Sequence, residues 1–248
     1  MTGMLIFYTS RTYTMYQLFK ENKVGNDYCV GDLHGNYEAL FKLMKQVNFN
    51  IEVDRLFCVG DLVDRGRNSE DVLELLKQSW FFTVRGNHED ILIANGLKSY
   101  EECYPEKNKD GSKWFFNIAT EKKIRIMKAF RDLPYAIQVG KIGIVHAFPL
   151  NDWKDTLKAI KNKNDQEIKS LIWNRGPAKA VQAGKKINQI KNIDSVIVGH
   201  HVFEKPERHA NVIFLDTGFY QGGSLSLINL KTLEVVARIF NKDKKLCD

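Results

Sequence analysis

The chain has 248 residues, of which 44% are hydrophobic and 27% are charged, and its formal net charge is +7. This length can bury a substantial core in one domain, and the composition excludes a disordered or fibrous chain. No apolar run is long enough to cross a bilayer. The run Leu5–Tyr8 is too short for the core of a secretory signal, so we expect no membrane contact and a cytoplasmic location.

The four cysteines and the basic stretch of the chain predict no special site. Cys29 and Cys58 lie in apolar runs, Cys103 and Cys247 lie in polar surroundings, and no pair has the Cys-x-x-Cys spacing of zinc or redox motifs. We therefore expect free thiols in a reducing compartment. The lysine-rich stretch 154–191 contains few aromatic residues, so it predicts a solvated helical face rather than a dedicated nucleic-acid surface.

The first predicted elements repeat one pattern three times: an apolar run, a glycine-containing polar turn and a helix. The apolar runs are Tyr28–Val30, Leu56–Val59 and Phe81–Val84. Strands that alternate with helices predict parallel pairing, and such sheets bind ligands at the carboxyl ends of their strands. The spacing predicts helices that begin at an Asn36 cap, near Ser69 and near Asp90.

The second half of the chain predicts one helix and then six short strands. The helix runs from about Glu121 to Arg131 and ends before Pro134, as expected of a residue that precedes proline. Gly140 and Lys141 predict a hairpin turn. We expect these strands to form a mixed or antiparallel sheet packed on the first. The predicted strands are Tyr135–Val139, Ile142–His146, Ser195–Val198, Val212–Leu215, Leu225–Ile228 and Glu234–Ile239.

One domain is the simplest organisation for this pattern. We expect an N-terminal extension and first strand region at 1–27, a catalytic domain at 28–240 and a basic C-terminal tail at 241–248. The polar stretch from Ser99 to Lys113 predicts a surface loop near the cleft.

Carboxylate, amide and imidazole groups follow the predicted strands. Each placement alone is typical of a turn or of a histidine at a strand end. Together, oxygen and imidazole groups at matching positions favour a site for manganese, iron or zinc. A carboxylate can bridge two such ions, and two-metal sites suit phosphoester hydrolysis. These residues are Asp32, His34, Asp61, Asn87, His88, His146 and His200.

Three runs in this order resemble the signature of the phosphoprotein phosphatase family of metallophosphoesterases. They are Gly31-Asp-Leu-His-Gly35, Gly60-Asp-Leu-Val-Asp-Arg-Gly66 and Gly86-Asn-His-Glu89. Four later elements are most similar to the bacteriophage lambda protein phosphatase branch: Val145-His146-Ala147, Trp173-Asn-Arg175, Gly199-His200 and Leu215-Asp-Thr-Gly218. The resemblance covers about Tyr28 to Leu230. It implies the calcineurin-like α/β (α+β) fold, with two mixed β-sheets packed as a sandwich and flanked by α-helices.

The resemblance also implies two divalent metal ions, with manganese expected and iron or zinc as alternatives. Asp32 and His34 would bind the first ion, and Asp61 would bridge both. Asn87, His146 and His200 would complete the second ion's ligands.

The same resemblance implies roles in substrate binding and proton transfer. Arg65 and Arg175 would bind the phosphate oxygens together with Asn87. His88 would protonate the leaving alkoxide, and Asp64 would orient His88. A metal-bound hydroxide would then attack phosphorus directly. A cysteine-based mechanism is disfavoured because none of the cysteines accompanies a phosphate-cradling loop.

Two positions and the N-terminus depart from the family pattern. Phe148 stands where many relatives have a smaller residue, so we expect it to narrow the cleft. His201 stands where threonine or glutamine is common, and it is either a further contact or an exposed neighbour of a ligand. The first dozen residues have no counterpart, which makes Met15 a possible natural start.

The implied activity is that of a serine/threonine protein phosphatase, a phosphoric monoester hydrolase that acts on phosphorylated proteins or peptides. The alternative is hydrolysis of diadenosine tetraphosphate or another nucleotide polyphosphate. Asp64 favours the phosphatase, because relatives with the alternative activity typically carry a different residue there. The Asp64–Arg65 pair argues against a nuclease, and the complete ligand set argues against a non-catalytic binding module.

Overall fold

Two β-sheets form the frame of the computed structural model, which describes residues 15–99, 102 and 111–242. The extension before Met15, the two polar-context cysteines Cys103 and Cys247, and most of the expected C-terminal tail lie outside the described residues.

Eleven strands and eight helices are assigned in the described part of the chain. The strands are β1 (Tyr16–Phe19), β2 (Asp27–Val30), β3 (Arg55–Cys58), β4 (Phe81–Thr83), β5 (Ala136–Val139), β6 (Ile142–Val145), β7 (Ser195–Val198), β8 (Glu207–His209), β9 (Val212–Phe214), β10 (Ser224–Asn229) and β11 (Val235–Phe240). The helices are α1 (Tyr37–Gln46), α2 (Val72–Leu76), α3 (Asn87–Asn95), α4 (Lys113–Asn117), α5 (Thr120–Arg131), α6 (Trp153–Lys161), α7 (Asp165–Trp173) and α8 (Gly176–Gln182).

The first sheet contains the three repeats predicted from the sequence. Its strand order is β11-β10-β2-β3-β4, and β2, β3 and β4 are parallel. All four residues of β2 are buried, as expected of a parallel strand that is covered on both faces. The carboxyl ends of these strands therefore lie side by side, where the polar turns begin.

The second sheet has the order β1-β5-β6-β7-β9-β8. Strands β5 and β6 form the predicted antiparallel hairpin, and Gly140 at its turn has a left-handed φ of 56°. Strands β6, β7 and β9 are parallel, so the sheet is mixed as expected.

One assignment of strands to sheets was wrong. The strands predicted at 225–228 and 234–239 were expected in the second sheet, but β10 and β11 belong to the first. The reason is the antiparallel pairing of β10 with β2, in which Leu227 is opposite Val30 and Ile228 is opposite Cys29. Strand β1 lies within the first strand region expected at 1–27, whereas β8 was not predicted, because it is a short edge strand without a long apolar run.

The predicted helices are present, with two differences at their starts. Helix α1 begins after Asn36, but the Asn36 amide donates to the backbone oxygens of Leu33 and His34 instead of capping the helix. Helix α3 begins at Asn87, three residues before the predicted start near Asp90. Asn87 and His88 therefore lie in the first turn of a helix rather than in a free loop.

Three apolar clusters show how the layers pack. The cluster between the sheets includes Phe57 of β3 and Ile137, Ile144 and Ile197 of the second sheet. A second cluster joins the first sheet to α1, α3 and α5, and a third joins the second sheet to α6, α7 and α8. The arrangement is the sandwich flanked by helices that the sequence predicted. No helix in the described ranges combines the length and the apolar character that a bilayer span requires.

Candidate metal centre and phosphate site

The polar turns after β2 and β3 are joined by backbone hydrogen bonds. The N–H groups of Leu33 and His34 both donate to the backbone oxygen of Asp61, at 3.1 and 2.8 Å. The backbone is left-handed at several of these positions, a conformation that is unfavourable for residues with a side chain and that clusters at functional sites. The site residues with this backbone are His34, Asp61, Asp64, Arg65 and His200.

Glu89 ties the first turn of α3 to the turn after β3. Its Oε2 accepts hydrogen bonds from the N–H groups of Asp61 (3.0 Å) and Gly86 (2.8 Å), and its Oε1 accepts one from Leu62 (2.7 Å). The side chain is fully buried. Burial and the nearby charge of Asp61 raise the pKa of Glu89, whereas the hydrogen bonds from the N–H groups of Gly86 and Leu62 favour its ionised form. Glu89 lies in the run Gly86-Asn-His-Glu89, but no role was predicted for it from the sequence.

The tautomers of two histidines are set by backbone oxygens. The Nδ1 of His34 lies 3.0 Å from the oxygen of Val63, and the Nδ1 of His146 lies 2.8 Å from the oxygen of Val59. Because a carbonyl only accepts, each Nδ1 carries the hydrogen and each Nε2 offers a lone pair, as in metal-binding histidines. The Nε2 atoms of His34 and His146 lie 3.7 and 3.3 Å from the carboxylate oxygens of Asp61. Burial lowers the pKa of both imidazoles, which keeps them neutral.

An amide oxygen and two imidazole nitrogens converge beside Asp61. The Oδ1 of Asn87 lies 2.9 Å from the Nε2 of His146 and 2.7 Å from the Nδ1 of His200. Burial and the neighbouring His146 lower the pKa of His200 to about 3. These groups offer the oxygen and nitrogen atoms that a divalent ion of the first transition series accepts.

Asp61 is shared by two sets of buried side chains that could hold an ion. His34, Asp61 and His88 form one set, and Asp61, His146 and His200 form the other, with the ligand atoms of each set within 4.8 Å of one another. Burial raises the pKa of Asp61, but its electrostatic interactions with the rings of His146, His88 and His34 outweigh burial and lower it, so Asp61 stays ionised. The arrangement fits a carboxylate that bridges two ions.

Asp32 lies next to a second buried carboxyl group, that of Asp216. Its two oxygens accept hydrogen bonds from the N–H of His200, at 3.3 and 3.1 Å. Burial and the charge of Asp216 raise the pKa of Asp32 well above its ordinary value, and burial raises the pKa of Asp216 to about 6. Adjacent buried carboxylates require a cation to be ionised together, which supports a metal ion here. Asp216 lies in the run Leu215-Asp-Thr-Gly218, but no role was predicted for it from the sequence.

His88 differs from the other three histidines of the centre. Its Nδ1 lies 2.6 Å from the Oδ2 of Asp64, and its Nε2 lies 3.9 Å from the Oδ2 of Asp61. Burial lowers the pKa of His88, but the charge of Asp61 and the hydrogen bond to Asp64 outweigh burial and raise it. His88 therefore belongs to one ion-binding set by distance but holds a proton more readily than the neutral imidazoles around it.

A guanidinium group lies beside each half of the centre. The Nη1 of Arg65 lies 2.9 Å from the Nε2 of His34, and the Nε of Arg175 donates to the Nε2 of His200 at 2.9 Å. The Arg65 guanidinium stacks 4.0 Å from the centroid of the Tyr220 ring, which also meets the His34 ring edge-on. Tyr220 was not predicted from the sequence, because its contacts with Arg65 and His34 join residues far apart in the chain.

His201 and Phe148, the two departures from the family pattern, each have defined contacts in the structure. The Nε2 of His201 lies 2.8 Å from the Oε1 of Gln182, and His201 belongs to neither ion-binding set of the described residues. The Phe148 ring is buried in the apolar cluster of the second sheet, and its effect on the width of the cleft stays a prediction. Of the predicted polar loop, Gly111 lies against Arg65, while residues 100, 101 and 103–110 lie outside the described part.

Comparisons with known proteins agree with this geometry. The model of the calcineurin-like phosphoesterase family matches residues 28–204. Serine/threonine-protein phosphatase 2 of Escherichia coli K12 is 33% identical over 226 residues, which cover 88% of this chain and 99% of that protein. The symmetrical bis(5'-nucleosyl)-tetraphosphatase of Coxiella burnetii is 28% identical over 268 residues, which cover 84% of this chain and 90% of that protein. The crystal structure of a candidate diadenosine tetraphosphatase shares the fold, with a TM-score of 0.64, 20% identity, and coverage of 92% of this chain and 99% of that one.

Proposed function

The chain belongs to the calcineurin-like phosphoesterase family, and we propose that it is a metal-dependent serine/threonine protein phosphatase. The observation that carries the proposal is the hydrogen bond of 2.6 Å between Asp64 and His88. An alkoxide is a poor leaving group, so the hydrolysis of phosphoserine or phosphothreonine requires a proton donor at the leaving oxygen. His88, held at Nδ1 by a buried carboxylate, is suited to that task.

The donor set fits two divalent ions. Asp32 and His34 would hold the first ion, Asp61 would bridge the pair, and Asn87 with His146 and His200 would complete the second. Bound in this way, the ions would supply a nucleophile from water at neutral pH and positive charge at the phosphate. We propose manganese as the resident metal, since oxygen and imidazole ligands suit it.

The protein's own side chains would perform the remaining steps. Arg65 and Arg175 would bind the phosphate oxygens, because planar forked donors match a phosphate and its growing charge. Asn87 would add a contact to the same group. His88 would pass the proton on its Nε2 to the leaving oxygen, while Asp64 holds the Nδ1 hydrogen and stabilises the positively charged form of the ring.

Phosphorylated proteins or peptides are the substrates that we propose, and the cytoplasm is the location that we propose. Free, buried thiols at Cys29 and Cys58 are consistent with a reducing compartment.

Hydrolysis of a dinucleotide polyphosphate is the second candidate function. The Coxiella burnetii relative, which matches over most of its length, carries that activity in its name. A nucleotide leaving group needs less help from a proton donor than an alkoxide does. The Asp64–His88 pair therefore favours the monoesterase, while the two ions and two arginines would serve either substrate.

The two functions are separated by rates on matched substrates. Purified, manganese-loaded protein is assayed with phosphoserine and phosphothreonine peptides, diadenosine tetraphosphate and 5'-triphosphorylated RNA. An Asp61→Asn variant, purified in the same way, measures contaminating activity. We expect kcat/KM on the peptides to exceed the other values by about tenfold or more. A preference for the tetraphosphate would overturn the proposal in favour of the second candidate.

A further inference from the structure

Asp64 has a second hydrogen-bond partner besides His88. The indole Nε1 of Trp114 donates to the Oδ1 of Asp64 at 2.7 Å, while the Oδ2 holds His88. Among the described residues, these are the two hydrogen-bond partners of the Asp64 carboxylate. The Asp64 side chain is fully buried.

The two partners together fix the plane of the carboxylate. The terminal torsion of an aspartate is broad, so one hydrogen bond leaves the carboxylate free to rotate about it. A donor on the other oxygen removes that freedom and also compensates the buried charge. The direction in which Asp64 holds the His88 ring therefore depends on Trp114.

Trp114 is itself held in place by the core. It lies in α4, and the next residue, Phe115, is fully buried in the apolar cluster of the first sheet. The Trp114 and Phe115 rings pack edge to face, with their centroids 5.4 Å apart. Because Trp114 packs against the core, the core fixes the position of its indole N–H, which donates to the Asp64 carboxylate.

We infer that Trp114 is a positioning residue for proton donation in the proposed phosphatase reaction, acting through Asp64 on His88. The inference rests on the proposed function. It assigns no contact between Trp114 and the substrate or the metal ions.

The kinetic test removes the donor and keeps the ring. Trp114→Phe, in the full manganese-loaded chain, is compared with the wild type on a phosphoserine peptide and on p-nitrophenyl phosphate, whose leaving group needs little protonation. We expect kcat on the peptide to fall about tenfold, and kcat on the aryl phosphate to fall less than about threefold, with KM and metal content unchanged. Equal losses on both substrates, or no loss on either, would overturn the inference.

Trp153 offers a matched control. Its indole also donates to a side-chain oxygen at 2.7 Å, that of Gln138, and it is buried outside the site. Trp153→Phe should keep the wild-type ratio of the two rates. In a His88→Asn background, Trp114→Phe should cause no further loss on the peptide, because residues that act as one unit are not additive. An additive loss would contradict action through His88.

A spectroscopic test does not depend on activity. The chain has four tryptophans, so the indole N–H region of its NMR spectrum should contain four signals. The signal that is absent from Trp114→Phe belongs to Trp114; if that variant does not fold, variants of the other three assign it by elimination. It should move in Asp64→Asn and stay in Trp153→Phe. A Trp114 signal that does not move in Asp64→Asn overturns the inference even if the wild-type enzyme is active. A wild type that hydrolyses neither monoester refutes the proposed function, and the Trp114 signal then still tests the hydrogen bond.

Discussion

Replacing Glu89 with glutamine should destabilise the protein and weaken its metal site. The Glu89 carboxylate accepts hydrogen bonds from the N–H groups of Asp61, Leu62 and Gly86, and it is fully buried. An amide offers one oxygen, so its NH₂ group would face at least one N–H group that now donates to an oxygen. A buried donor without an acceptor costs about 1–3 kcal/mol. In a domain of this size, each kcal/mol lowers the melting temperature by roughly 2–4 °C, so we expect a loss of about 2–12 °C.

The assay is thermal unfolding of the metal-loaded Glu89→Gln variant, with manganese content measured on the same sample. Metal affinity should also fall, because Glu89 holds the backbone of the bridging residue Asp61. Glu74→Gln is the matched control, since Glu74 is exposed and forms a surface ion pair with Lys77; it should change neither quantity. A melting temperature for Glu89→Gln equal to that of the wild type would refute the view that the three N–H bonds hold these turns together.

Three further predictions concern the proton donor, the phosphate site and the metals. His88→Asn should lower turnover of a phosphoserine peptide by about 10²–10⁴ while leaving metal content intact by elemental analysis; loss of metal would show that His88 is a ligand. Arg65→Lys should lower kcat/KM by about tenfold or more, because an ammonium group lacks the forked donors; unchanged steady-state kinetics would rule out its role. Chelation should lower the melting temperature more at pH 8 than at pH 4.5. The pKa of Asp216 is about 6 in the metal-free fold and 3.8 in the unfolded chain, so the folded state binds the proton more tightly. The stability that this proton adds to the metal-free fold is fully present below pH 3.8 and is lost as the pH rises through about 6. A bound cation removes that loss, and equal shifts at both pH values would contradict the account.

The parts of the fold that the sequence predicted well are those with local signals. Strands β2, β3 and β4 are apolar runs followed by glycine turns, and a parallel sheet places their ends together. The structure accordingly brings Asp32, Asp61 and Asn87 to one edge. The placement of β10 and β11 could not be read in this way, because it depends on pairing with β2, about 200 residues away in the chain.

The supporting residues of the site were missed for the same reason. The Trp114–Asp64 bond joins residues 50 apart, and the Glu89–Asp61 bond joins residues 28 apart. Neither pair has a spacing that predicts contact. Tyr220 lies in a run without a recognisable motif, and its contacts with Arg65 and His34 link it to the site. Such supporting residues are recognised from the folded structure, because their partners lie in other helices, strands or turns.

The pKa shifts of the four histidines separate two proposed roles within one buried cluster, metal binding and proton donation. Burial lowers the pKa of His34, His146 and His200, so each offers a lone pair. For His88 the same burial is outweighed by Asp61 and Asp64, and its pKa is raised. The difference arises from Asp64, the carboxylate that bonds to His88 and to none of the other three rings. Removing the Asp64 charge should therefore make His88 resemble its neighbours, which is why the pair, rather than the histidine alone, distinguishes a proton donor from a fourth imidazole ligand.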